Sequence, residues 1–198
     1  SLPKSLIAKR PNSKRNSKIL ICKNKKIIEI KNNLDEISKD DVLIFNNTKV
    51  ISSVIEGICN EKKIKLTLLE NNNTYIWKSF IKPSKKIKVN DIIYFKNNFF
   101  CKVLNKKSVI AEVKFNLNYT KVIHYLNEFG DLPLPPYIKS KSDRKLDDKY
   151  YQTVFAEKIG AVASPTAGLH FDNKLIEDIK KRNNVIFTTL HAGIGTFL

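Results

Sequence analysis

Apolar positions recur with two different periods along this 198-residue chain. Residues 18–30, KILICKNKKIIEI, read as two short strands around a Lys-Asn-Lys-Lys turn. A turn and an acidic cap follow over 33–41, and DVLIFNN is then an apolar strand running into a polar turn. Between 50 and 117 short β-rich runs repeat: VISSVIEGI, KIKLTLLE, TYIWKSFI, DIIYFK, FFCKVL and SVIAEVKF. The turns between them are NEKK, NNN, KPSKK, KNN and NKK, and this spacing predicts a small β-barrel or sandwich. Asn suits such turns because it tolerates left-handed backbone geometry.

The period changes after Asn118. Val122, Ile123, Leu126 and Phe129 have helical spacing, and Gly130 stops that helix. Pro133, Pro135 and Pro136 then enforce an extended segment, and residues 140–149 are a charged loop. YQTVFAEKIGAV begins a strand or helix that reaches the SPTAGLH loop. DNKLIEDIKKR, residues 172–182, is a helix with Asp172 as N-cap and Lys180, Lys181 and Arg182 at its end. VIFTTLHAG is a strand that ends in the loop GIGTF. Helix, strand, helix, strand predicts an α/β layer, so the fold class is mixed α/β.

Composition narrows the function classes. No apolar run approaches the roughly 18 residues of a membrane helix, and no secretory signal opens the chain. A cytoplasmic protein with no membrane partner is expected. The chain contains no Met, so Ser1 is not expected to be the natural start. Cys22, Cys59 and Cys101 form no C-x-x-C pair, and His124, His170 and His191 lack metal-site spacing, so free thiols and no metal are expected. The formal net charge is +17. Two readings of it stand side by side: a drift toward Lys, since Lys, Asn and Ile all have AT-rich codons, and a nucleic-acid partner. Residues 51–117 carry 13 basic and 5 acidic side chains, whereas residues 118–198 carry 11 and 9. The first 117 residues are therefore the better candidates for an anionic partner.

Glycine is scarce, 6 in the chain, and five of the six fall after residue 129. In such a composition a retained glycine implies backbone geometry that other residues do not fit. Pro165 to Phe171 stands just before a helix N-terminus, where free N–H donors and a positive dipole end are available. Leu190 to Phe197 sits where a strand ends, the usual place for a ligand in an open α/β layer. Each of these two glycine loops holds one histidine, His170 and His191, which either does chemistry or orients its loop.

Five blocks occur in order: LPKSLIAKRPNSKR at 2–15, NNTKVI at 46–51, GDLPLPPYI at 130–138, YQTVFAEKIGAVASPTAGLHF at 151–171 and TLHAGIGTF at 189–197. On these blocks the chain resembles the S-adenosylmethionine:tRNA ribosyltransferase-isomerases of queuosine biosynthesis. The resemblance covers essentially the whole chain, and members of that family continue well past Leu198. It implies a discontinuous α/β domain, residues 1–50 and 118–198, C-terminally incomplete, with an antiparallel β-barrel inserted at 51–117. It implies that the ribosyl part of S-adenosylmethionine, a substrate here, is transferred and isomerised onto 7-aminomethyl-7-deazaguanine at the tRNA wobble position. Epoxyqueuosine, adenine and methionine are the implied products. The partner is tRNA carrying that precursor, and the chain is expected to act as a monomer or with a separate C-terminal partner.

Under this resemblance the catalytic candidates are His170 and His191, because imidazole exchanges protons near neutral pH. Thr166, Gly168, Gly193, Gly195 and Thr196, with Pro165 beside them, would shape a ligand pocket. Phe171 and Phe197 would stack on a base or pack in the core. Tyr137, Gln152 and Thr153 would bond substrate, Asp131 would face the sulfonium or cap a turn, and Asn46, Thr48 and Lys49 would contact tRNA or ligand. The chain departs from the family pattern at Asn47, Lys49, 52–54, Lys63 and Lys65, with milder changes at Ser164 and Ala192. Asn47 stands where an Asp is usual. A non-catalytic RNA-binding remnant of such an enzyme, and a general oligonucleotide-binding barrel, are the alternatives. For the latter, Tyr75, Trp77, Phe80, Tyr94, Phe95, Phe99 and Phe100 are the aromatics available.

Overall fold

A computed structural model describes residue 3, residue 6 and residues 18–31, 37–71, 75–134 and 149–191. It divides into two compact units. The first gathers the chain up to Lys49, Pro136–Ile159 and Ser164–Leu190. The second gathers Val50–Pro135, Gly160–Ala163 and the chain from His191.

In the first unit, β1 (Ile19–Lys23) and β2 (Lys26–Lys31) form an antiparallel hairpin. Its two-residue turn, Asn24-Lys25, has φ 49° and 62°, the left-handed geometry that hairpins favour. Strand β3 (Val42–Asn46) later receives the last described strand of the chain as a parallel neighbour. Strand β4 (Thr48–Val50) carries the chain into the second unit.

The second unit is built on a closed six-stranded barrel. Its strands are β5 (Val54–Cys59), β6 (Lys62–Asn71), β7 (Ile76–Lys82), β8 (Ile92–Tyr94), β9 (Phe100–Lys107) and β10 (Ile110–Phe115). Every pairing among them is antiparallel, in the spatial order β10-β7-β6-β5-β8-β9. Alternation puts Leu66, Leu68, Ile81, Ile93, Cys101, Val103 and Val113 inside, all fully buried. Closure leaves no unpaired edge along the sheet. Burial pushes the thiols of Cys59 and Cys101 upward, so both are inert packing groups.

Several sequence expectations change here. The expected NKK turn at 105–107 is strand, and the chain turns at Ser108-Val109 instead, with Ser108 at φ 59°. In the run VISSVI, Val50 ends β4 and the barrel strand begins only at Val54. Trp77 and Phe99 are buried core residues. The helical spacing after Asn118 gives α1 (Tyr119–Phe129), capped by the Asn118 side chain, which accepts from the Lys121 N–H at 3.0 Å. The apolar face of α1 joins the barrel core, with Tyr125 on Phe99 at 4.1 Å between ring centroids and Phe99 stacked on Phe115 at 4.8 Å. The compact unit therefore runs past residue 117 to Pro135.

Gly130 ends α1 for a reason that the helix alone does not give. Its φ is −81°, so left-handed freedom is not what it supplies. A Cβ there would overlap the Ser52 carbonyl oxygen and sit 2.6 Å from that of Leu126. The next residue, Asp131, exchanges both backbone hydrogen bonds with Val54, at 2.8 and 3.0 Å.

Returning to the first unit, β11 (Lys158–Ala161) leads out of it, and a 3₁₀ turn (Thr166–His170) precedes α2 (Asn173–Arg182). Asp172 caps α2 as the sequence predicts, accepting from the Leu175 N–H at 2.8 Å, and Lys180, Lys181 and Arg182 occupy its last turn. Ile176 and Ile179 are buried. α2 packs on β12 (Asn184–Thr188), which pairs in parallel with β3 from Asn184 opposite Val42 to Thr188 opposite Asn46. Phe45 is the centre of this unit, with Phe155, Phe171 and Phe187 at 5.1, 5.0 and 6.1 Å.

Gly130→Ala should destabilise the second unit by about 2 kcal/mol or more, because its new neighbours are backbone atoms that do not yield. That corresponds to a fall of roughly 10 °C in Tm, read by thermal unfolding. An unchanged melt would refute the close-approach account.

Candidate functional site

The structure sorts the candidates between the two units. Asn46, Thr48, Lys49, Gln152, Thr153, Pro165, Thr166, Gly168, His170 and Phe171 lie in the first; Asp131 and His191 lie in the second. Tyr137, Gly193, Gly195, Thr196 and Phe197 lie outside the described residues.

Parallel strands β3 and β12 end together, and two successive amides tie the ends. The Asn46 Oδ1 accepts from the backbone N–H of Thr48 and of Leu190, both at 3.1 Å. Its Nδ2 donates to the Leu190 carbonyl at 2.8 Å. The Asn47 N–H donates to the Thr188 carbonyl at 2.9 Å, and the Asn47 Oδ1 accepts from the Thr189 hydroxyl at 2.7 Å. The Asn47 Nδ2 donates to Glu157 Oε2 at 3.3 Å, and the Asn47 carbonyl accepts from the N–H groups of Glu157 and Lys158. The NNTK block is thus a clamp on the segment that delivers His191, the next residue in the chain. An Asp at 47 would set a second carboxylate beside that of Glu157; the amide donates to it instead.

In the second unit, His191 is seated on Gly160. That glycine has φ +152°, and a Cβ on it would lie 2.7 Å from Cε1 and Nε2 of the imidazole. Position 160 is therefore closed to a side chain both by its backbone and by the ring above it. Gly160 is one of the five glycines after residue 129. Glycine scarcity was the available signal.

The SPTAGLH block forms its own compact feature. The Gly168 N–H donates to the Pro165 carbonyl at 2.8 Å, and a Cβ at 168 would lie 2.9 Å from Thr153 Cγ2 and from the Phe155 ring. Gly168 brings this turn against Thr153. The hydroxyls of Thr153 and Ser164 are both buried and lack a hydrogen-bond partner. Buried unmatched hydroxyls are uncommon, and the Ser53 hydroxyl and the Trp77 indole N–H share that state. Phe171 meets Phe45 edge-on, which makes it part of the aromatic core of its unit. His170 and Thr166 are exposed at the ends of the same turn. Lys49 is exposed, and Thr48 is fully buried. Asp131 joins Val54 through its backbone and has an exposed side chain. Gln152 is half-buried. Among the described residues no group of three or more His, Cys, Asp or Glu is placed to hold a metal. No helix among them is long and apolar enough to cross a membrane.

A closed barrel in one unit and an α/β arrangement in the other, with a histidine in each of two glycine-marked segments, define a class of mixed α/β protein with an inserted barrel. Over residues 1–198 the chain matches the family described as queuosine biosynthesis protein, and it belongs to that family. A curated relative from Rickettsia bellii, an S-adenosylmethionine:tRNA ribosyltransferase-isomerase, is 38% identical over 100% of this chain and 60% of its own length. One of the same name from a Sulfurihydrogenibium species is 40% identical over 99% of this chain and 60% of its own. One from Prochlorococcus marinus is 37% identical over 99% and 58%. The chain therefore spans about 60% of the length of the curated relatives it matches. The crystal structure of an S-adenosylmethionine tRNA ribosyltransferase from Thermotoga maritima aligns over 97% of this chain and 57% of its own, with 22% identity and a TM-score of 0.37. Family membership rests on the sequence match.

Asn46→Ala should free the end of β12. The amides of Thr189 and Leu190 should exchange with solvent roughly tenfold faster, the effect of losing about 1–2 kcal/mol of hydrogen bonding. Asn46→Asp keeps the acceptor and should show a smaller change. Gly160→Ala should displace the His191 ring, visible as a shift of its imidazole resonances in NMR. Ring resonances that stay in place would remove Gly160 from the account.

Proposed function

We propose that this chain carries the ribosyl-transfer and isomerisation chemistry of its family. S-adenosylmethionine is the ribosyl donor, and 7-aminomethyl-7-deazaguanine at the wobble position of tRNA is the acceptor. The products are epoxyqueuosine in tRNA, adenine and methionine. The observation that carries this reading is the joint placement of the family's blocks: NNTK clamps the strand end that leads into TLHAGIGTF, and the SPTAGLH turn presents His170.

The reaction sets three demands. A base must remove a C5′ hydrogen that the adjacent sulfonium acidifies. The acceptor amine must attack as the neutral species, and departing adenine takes up a proton. Imidazole serves either proton step, so His170 and His191 are assigned to them. Thr153 and Ser164 offer unmatched hydroxyls to a bound substrate, and Gly168 keeps the turn close enough for backbone contact. Asp131, Gln152, Thr166 and Lys49 are assigned to substrate contact. No metal has a role in this scheme.

Incubating the chain with S-adenosylmethionine and precursor tRNA should release adenine and leave epoxyqueuosine in the tRNA, read by chromatography and mass spectrometry of tRNA digests. His170→Gln and His191→Gln should each slow single-turnover adenine release by about 100-fold or more. Unchanged rates in both variants would sink the histidine assignment. Precursor tRNA bound without any adenine formed would sink the enzymatic reading for this chain.

A further inference from the structure

The barrel exterior has two neighbouring rows of side chains whose composition the chemistry above does not use. In the first, register places Lys63 opposite Ile58, Ile58 opposite Tyr94, and Tyr94 opposite Phe100, across β6, β5, β8 and β9. In the second, Ile92 faces Lys102, Lys102 faces Lys114, and Lys114 faces Ile76, across β8, β9, β10 and β7. All eight are exposed, Tyr94 at 56% and Phe100 at 36%. The Tyr94 and Phe100 rings lie 6.0 Å apart. Neither row contains a carboxylate.

Two features make this patch unusual for a solvated sheet face. Exposed Tyr and Phe beside one another leave large apolar area in water. Lys102 directly opposite Lys114 is a like-charge pair, which is unfavourable across strands. Elsewhere on the barrel some lysines meet an acid, as in Glu56 opposite Lys65 and Glu70 beside Lys78 at 3.5 Å, although Lys65 also faces Lys82. Lys102 and Lys114 have no ion-pair partner among the described residues. Unneutralised lysines call for an anionic partner, and adjacent exposed rings call for one with flat apolar faces. Single-stranded RNA has both, a phosphate at every step and an unpaired base to stack.

We propose that the outer face of β8, β9 and β10 is a docking surface for single-stranded RNA, with unpaired bases stacking on Tyr94 and Phe100 and phosphates on Lys102, Lys114 and Lys63. A duplex hides its base faces and fits this surface poorly. The surface stands whether or not the chain transfers ribose, since its test needs no S-adenosylmethionine.

The test is fluorescence anisotropy of the full chain with an oligouridine of about 12 nucleotides, within the usual site size of nucleic-acid-binding barrels, and with a blunt RNA duplex of equal length. The single strand should bind more tightly. Tyr94→Ala and Phe100→Ala should each weaken its binding roughly tenfold or more, and Tyr94→Phe should retain it. Lys102→Ala and Lys114→Ala should each lower the salt slope by about 0.7. All four positions are surface-exposed, and thermal melts identify any variant whose fold has changed. Binding that follows salt but ignores Tyr94→Ala and Phe100→Ala would mark a general anion surface and overturn the proposal. So would equal affinity for the duplex, or no binding at low salt.

Discussion

The first unit depends on one junction, where β3 and β12 stop side by side and the amides of Asn46 and Asn47 take over from the strand ladder. Parallel strands that end together leave backbone N–H and C=O groups without a sheet partner. Here the Asn46 side chain satisfies the N–H and the carbonyl of Leu190, and the Asn47 backbone N–H satisfies the Thr188 carbonyl. Without that closure the chain would leave β12 with no set direction.

The two units use aromatic side chains to the same end by different means. In the first, Phe45 collects Phe155, Phe171 and Phe187 from three separate stretches of chain. In the second, Phe99 stacks between Phe115 and Tyr125 and so joins strand β10 to helix α1. Each cluster joins segments distant in sequence, and the motif-bearing turns rest on these rigid centres. Gly57 and Gly168 belong to the same logic, since each lets an aromatic ring, Phe95 or Phe155, approach the backbone.

Local pattern revealed what is locally determined. The α2 helix and its Asp172 cap follow from a capping residue and 3.6-residue spacing, both contained in one short segment. The barrel follows from repeated runs of alternating residues, whose period survives any detail of register. The Asn46 clamp was not legible, because its partner Leu190 lies 144 residues away and an Asn-Asn pair also reads as an ordinary turn. The destination of α1 was hidden for a similar reason: helical spacing defines an apolar face and says nothing of what covers it. Gly130 looked like a helix stop on sequence grounds, and its real constraint, the Ser52 carbonyl, is a tertiary contact. Among the barrel aromatics, alternation separated few, since bulges in β6 and β9–β10 shift the phase; only the pairing shows Tyr94 and Phe100 outside with Trp77 and Phe99 within.

The left-handed turns carry a thermodynamic consequence. Asn24, Asn60, Asn97 and Asn98 all sit at positive φ, where glycine is the usual occupant. A side chain there strains the folded turn, yet it also narrows the range of conformations open to the unfolded chain. The two effects oppose one another. A chain poor in glycine thus loses less backbone entropy when its hairpins close, and this offsets part of the local strain its asparagines introduce.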